Sequence, residues 1–184
     1  MNRLASPAQL RASLIRWSAF LVPLVVLLGF LAGTLSGSGA DNLWFATLVK
    51  PSLFPPPAAF GIVWGILYVM IGLALALVCS AWGSRWRTGA ILAFIVQFAL
   101  NLSWSPTFFG AQEMQLALVI MVVLDIAAVI TTWLFFKVRR VAGLLMLPYL
   151  AWIFFATALN WQFIEANPDG GGIASGSEAS RIEF

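Results

Sequence analysis

The sequence predicts an all-α membrane protein, a five-transmembrane-helix bundle with a long outer loop between helices 1 and 2. Three observations carry this. Of 184 residues, 61% are hydrophobic and only 9% are charged, whereas a soluble domain carries roughly 25% charged residues. All charges but Asp125 sit outside five apolar runs, and a membrane helix needs about 20 mostly apolar residues. Basic residues fall in alternate gaps, which fits an odd number of spans. Strand-type alternation is absent, which argues against a β-barrel.

The elements follow in order. Residues 1–16 form a basic, acid-free N-terminal leader, read as preceding a retained first helix because no clear cleavage site follows. The transmembrane domain covers 17–165. Its first span, Trp17 to Ala40, has Gly29, Gly33 and Gly37 at four-residue spacing. Small residues so spaced let helices approach closely, either within one chain or in a homodimer. A loop from about Ser36 to Ala59 follows. Its Pro55-Pro56-Pro57 run fixes φ and removes donors, giving a stiff segment. That loop admits two readings, a lid over a pocket or a plain connector. The second run, Pro51 to Ser84, turns helical near Phe60. The third runs from Thr88 to Gln112, the fourth from Met114 to Phe136, and the fifth from Val141 to Ile164. The short turns between them imply an up-and-down bundle. Residues 166–184 read as a flexible C-terminal tail.

Orientation follows from charge. Eight of the ten basic residues lie before the first span, between the second and third, and between the fourth and fifth, with no acid among them. Basic segments stay cytoplasmic, so the N-terminus is expected inside and the C-terminus outside. The net charge of +3 thus speaks of orientation in a lipid bilayer and not of nucleic acid, for which no basic face with interleaved aromatics exists.

Composition excludes several chemistries. The chain has no histidine, and Cys79 is its one cysteine. An intrachain disulfide, Cys/His zinc ligation and histidine acid–base catalysis are therefore out. No phosphate-binding loop or metal cluster is evident, and no resident cofactor is expected.

Polar and aromatic groups inside the spans carry the rest. Gln97, Asn101 and Ser105 recur every four residues and share a face, with Trp104 beside it. Tyr149, Trp152, Ala156 and Asn160 form a stripe in the fifth span. Trp64 and Tyr68 lie four apart in the second. This pattern fits an aromatic cavity for a flat, mostly apolar ligand. It equally fits polar side chains that only join helices. Asp125, in the middle of the fourth span, must face the interior and find a partner. A hydrogen bond to a neighbouring helix and a proton-carrying role both satisfy that.

Several segments also carry a family resemblance. Lys50-Pro51, Pro55-Pro56 and Phe60-Gly61-Ile62-Val63-Trp64-Gly65-Ile66-Leu67-Tyr68 resemble the second-helix signature of the TspO/MBR family, the tryptophan-rich sensory or translocator proteins (peripheral benzodiazepine receptors). The segment from Gln97 to Gly110 resembles the third-helix signature. Pro148-Tyr149-Leu150-Ala151-Trp152 with Ala156-Thr157-Ala158-Leu159-Asn160 resembles the fifth. The match runs in order over about 20–165.

The resemblance implies a five-helix bundle, often a homodimer, with a pocket closed by the first outer loop. It implies a receptor or sensor binding porphyrins such as protoporphyrin IX and similar hydrophobic small molecules. The family pocket would fall on Trp64, Asn101, Trp152 and Ala156, with Tyr68, Trp104 and Tyr149 nearby. Trp64 and Trp152 would stack on the macrocycle, Asn101 would hydrogen-bond it, and Lys50 would meet a propionate. A transporter of tetrapyrroles, or a light-dependent porphyrin-degrading enzyme, are the alternatives. The expected location is a bacterial cell membrane. Ser52, Leu53 and Ala58 stand where many members carry aromatics. No basic residue follows Tyr68 or Tyr149 within five positions, so the proposed sterol pattern is not met.

Overall fold

Local chemistry sets where each helix starts and stops. In the computed structural model, which describes residues 6–170, α1 spans Pro7–Leu35. Ser6 caps it reciprocally. Its hydroxyl accepts from the Gln9 backbone N–H at 3.3 Å, and Gln9 Oε1 accepts from the Ser6 N–H at 2.8 Å. Arg11 and Arg16 therefore stand on the first turns of α1, and the helix runs unbroken across the leader boundary drawn at 16. The part of the tail beyond Gly170 lies outside the described residues.

Residues 36–56 are a folded connection and not an open loop. Gly37, at φ +62°, makes the turn out of α1. A short helix, α2 (Leu43–Thr47), is capped by Asn42, whose side-chain oxygen accepts from the Phe45 N–H at 2.8 Å. The proline run then enters α3 (Pro57–Cys79). Pro57 holds the first helical position, where a missing N–H costs nothing, so the helix starts before the expected Phe60.

The remaining helices are α4 (Arg87–Ser105), α5 (Met114–Val138) and α6 (Arg140–Ala166). A π turn over Pro106–Gly110 prolongs α4, and Gln112, at φ 61°, reverses the chain into α5. A single extended residue, Arg139, separates α5 from α6. Five of these helices are long and apolar enough to cross a bilayer, and the chain is a multi-pass integral membrane protein. The described residues contain no strand.

The spans pack in a ring: α1 on α3, α3 on α6, α6 on α5, α5 on α4, and α4 back onto α1 and α3. Small side chains set the close approaches. Ala74, Ala76, Ala90, Ala128 and Ala142 are wholly buried. A Cβ on Gly72 would lie 3.0 Å from the Val22 Cα, so α1 and α3 approach backbone to backbone there. Gly29 accommodates the Tyr68 ring and Gly33 faces Ser38. Of the two readings of the glycine stripe, these contacts display packing within the chain. Asp125 is buried and accepts a 2.8 Å hydrogen bond from the Thr157 hydroxyl, joining α5 to α6.

The two ends of the bundle differ. One bears Arg85, Arg87, Lys137, Arg139 and Arg140. There Arg87 lies over the Trp82 ring at 4.1 Å and Lys137 over Trp133 at 5.3 Å, with both rings exposed. Such cation–aromatic pairs suit a membrane–water boundary. The other end carries the 36–56 connection.

Candidate ligand-binding site

A helix repeats its face every three to four residues, and three helices use that spacing to line one hollow. On α3 the residues are Phe60, Trp64 and Tyr68. On α4 they are Asn101, Trp104 and Ser105. On α1 they are Gly29, Phe30, Gly33 and Thr34. The connection adds Phe45 and Phe54 as a roof, beside Pro57 at the start of α3. Together they enclose about 310 Å³. On the α1 side, Gly29 receives the Tyr68 ring and Gly33 the Ser38 hydroxyl. No charged side chain lines it.

Ring contacts fix the walls. Trp64 stacks on Tyr68 with centroids 5.1 Å apart. Trp104 stacks on Phe108 at 5.1 Å. In the roof, Phe54 lies 5.4 Å from Phe60 and Phe45 5.2 Å from Phe109. Each aromatic pair adds roughly 0.5–1.5 kcal/mol beyond its burial.

A buried polar chain runs from the floor of the hollow into the core. The Tyr68 hydroxyl donates to Asn101 Oδ1 at 3.2 Å. Asn101 Nδ2 donates to the Tyr149 hydroxyl at 3.3 Å, and that hydroxyl donates to Gln97 Oε1 at 2.8 Å. Nearby, Trp104 Nε1 donates to Asn160 Oδ1 at 3.0 Å, and Asn160 Nδ2 to the Met114 carbonyl at 3.1 Å. In hydrocarbon an unpaired amide costs several kcal/mol, so these bonds hold α3, α4, α5 and α6 in register. Gln97 Nε2 and Asp125 Oδ1 are left without a hydrogen-bond partner.

The residues singled out from sequence divide into two groups. Trp64, Tyr68, Asn101 and Trp104 meet at the hollow. The others do not line it. Tyr149 is fully buried behind Asn101. Trp152 packs edge-on against Phe60 and borders a separate apolar groove between α3 and α6. Ala156 packs against the main core. Lys50 donates to the carbonyls of Phe45 and Leu48 and lies over the Phe45 ring at 4.4 Å. Partial desolvation lowers its pKa from the ordinary lysine value.

Sequence reasoning missed Phe30, Thr34, Phe45, Phe54, Phe60 and Phe109 as lining residues. A phenylalanine facing a hollow reads like one facing lipid, so periodicity alone does not separate them. The glycines at 29 and 33 were a usable signal for α1 as a wall, because small residues so spaced mark a helix face pressed close against its neighbours.

The described residues hold no cluster of three metal-ligating side chains, and the hollow presents no acid–base pair. Its chemistry is that of a neutral, ring-lined receptacle with amide and hydroxyl groups at its floor.

Comparison with known proteins agrees in extent. A family model described as TspO/MBR family matches residues 20–165. The tryptophan-rich protein TspO of Chlorobaculum tepidum is 39% identical over 151 residues, covering 82% of this chain and 95% of that one. The human translocator protein is 38% identical over 136 residues, 73% of this chain and 80% of its own. The tryptophan-rich sensory protein of Cereibacter sphaeroides is 38% identical over 125 residues, 67% of this chain and 77% of its own.

Proposed function

This chain belongs to the TspO/MBR family, and from that premise we propose that it is a membrane receptor for flat hydrophobic ligands of the porphyrin class, protoporphyrin IX being the reference guest. The observation that carries the reading is the hollow between α1, α3 and α4. Its walls are aromatic, its floor offers Asn101 and Tyr68, and it bears no charge. Ligand pockets are mostly apolar with a few placed polar groups, and a macrocycle face matches indole and phenol rings.

Trp64 is the stacking residue in this reading, and Asn101 orients the guest by hydrogen bonding. Trp152 supports Phe60 from behind and does not itself stack. Lys50 already serves two carbonyls of the connection, so a propionate would have to compete with them. The hollow, at about 310 Å³, lies at the small end of the usual 300–1,000 Å³ range, so its walls must spread to admit a macrocycle. Asp125 does not line the hollow, so the carrier alternative gains nothing from the geometry. The arginine-bearing end faces the cytoplasm of a bacterial cell, by the bias of basic residues, and the connection faces outward.

The test is titration of the protein in lipid nanodiscs with protoporphyrin IX, read by tryptophan quenching. Trp64→Ala and Asn101→Ala should each weaken binding about tenfold or more, as central anchor residues do. Native affinity in both variants refutes the reading.

A further inference from the structure

One side chain at the end of α6 binds the connection that roofs the hollow. Asn167, just past the end of α6, is buried. Its Oδ1 accepts from the Val49 N–H at 2.8 Å. Its Nδ2 donates to the Val49 carbonyl at 3.0 Å and to the Phe163 carbonyl at 2.9 Å. The amide thus pairs with both backbone groups of Val49, as a neighbouring strand would, while also holding the last turn of α6. Trp44 Nε1 adds a second tie, to the Gly170 carbonyl at 3.3 Å.

We propose that Asn167 is the latch that keeps the 36–56 connection closed over the hollow, and that its release is the step that opens the site. Val49 sits in a stretch whose N–H and C=O have no helical partner, and with the connection closed Asn167 satisfies both. When the connection lifts, water takes over those two bonds. The closed state gains two hydrogen bonds through one residue, and the open state loses little. That balance makes the latch reversible. Phe45 and Leu48, which precede Val49, are buried against Phe163 of α6 and its neighbours, so ring packing adds to the hold of Asn167 on the connection. The proposal rests on the hollow being a ligand site, but its test needs no ligand.

The test is cysteine labelling of the full chain in nanodiscs. Ser105→Cys places a thiol on the wall of the hollow. Cys79, buried on α3 near the arginine-bearing end, is a natural control. Labelling with a water-soluble maleimide is followed at each cysteine by peptide mass spectrometry, with and without Asn167→Ala. The expected result is labelling at position 105 about tenfold or more faster, the scale of two lost hydrogen bonds, with Cys79 still protected. Equal rates at 105, or acceleration at both cysteines, overturns the proposal. Asn167→Asp keeps the acceptor for the Val49 N–H but sets its other oxygen against the Val49 and Phe163 carbonyls, so its rate should also exceed the native one. If Asn167→Ala does not fold, the Asp variant decides alone, a native rate overturning the proposal. Failure of porphyrin binding in the native chain would refute the receptor reading and leave this result standing.

Discussion

The half of the bundle toward the arginines and the half toward the connection solve the same packing problem with different materials. Toward the arginines, Ala74, Ala76, Val78, Ala90, Ala142 and Phe135 are wholly buried, and Phe94 stacks on Phe135 at 6.0 Å. Toward the connection, rings and amides meet around a hollow. Lipid tails are as apolar as leucine, so helices in a bilayer associate by close contact and by hydrogen bonds. The first half uses contact and tolerates no space. The second uses hydrogen bonds, and with its helices fixed that way it can leave room for a guest.

The largest effect should come from adding volume to the tight half. Gly72→Leu forces its side chain into the α1 backbone at Val22. Overpacking a well-packed site costs roughly 1–3 kcal/mol or more. Loss of the folded bundle on size exclusion, or a sharply lowered thermal midpoint, is expected. Gly61 lines the hollow and nothing lies within 4 Å of a Cβ there, so Gly61→Ala should leave the midpoint unchanged or higher. A midpoint lowered as much as by Gly72→Leu would erase the contrast between the halves.

A smaller effect is expected from the polar chain. Tyr149→Phe removes the donor to Gln97 and the acceptor for Asn101. Interhelical hydrogen bonds in membranes contribute about 1–2 kcal/mol at most, so unfolding in a denaturing detergent should shift by that much. Protoporphyrin affinity should fall less than in Asn101→Ala, since Tyr149 does not line the hollow. The smallest effect belongs to Asp125→Asn, which keeps an acceptor for Thr157. Stability should change by less than about 1 kcal/mol, with ligand affinity unaltered. A clear loss of affinity would extend the working half of the molecule to α5.

Much of the first half was legible in the sequence, because span length, charge bias and small-residue spacing are local properties. The amide ladder of Gln97 and Asn101 was legible for the same reason, since four-residue spacing puts both on one face. The split between Trp64 and Trp152 was not. Both are indoles on polar stripes, and only the relative rotation of α3 and α6 turns one into the hollow and the other behind Phe60. Lys50 was misleading for a related reason. Its charge is visible in sequence, but its commitment to the carbonyls of Phe45 and Leu48 depends on how α2 ends. Asn167 gave no periodic signal at all, because its partner Val49 is remote along the chain.

The π turn at the end of α4 makes this protein sensitive to a kind of mutation that hydropathy would never flag. The Ala111 N–H reaches back to the Pro106 carbonyl at 2.8 Å, so the coil there holds more residues per turn than a regular helix. The surplus aims Phe108 into the core while Phe109 borders the hollow. Deleting one residue between 106 and 110 would restore an ordinary coil and still leave a span of adequate length and greasiness. It would also rotate both phenyl rings away from their places. Inherited insertions and deletions should therefore be scarce in this stretch, even though it lies at the rim of the bundle where changes in length are usually harmless.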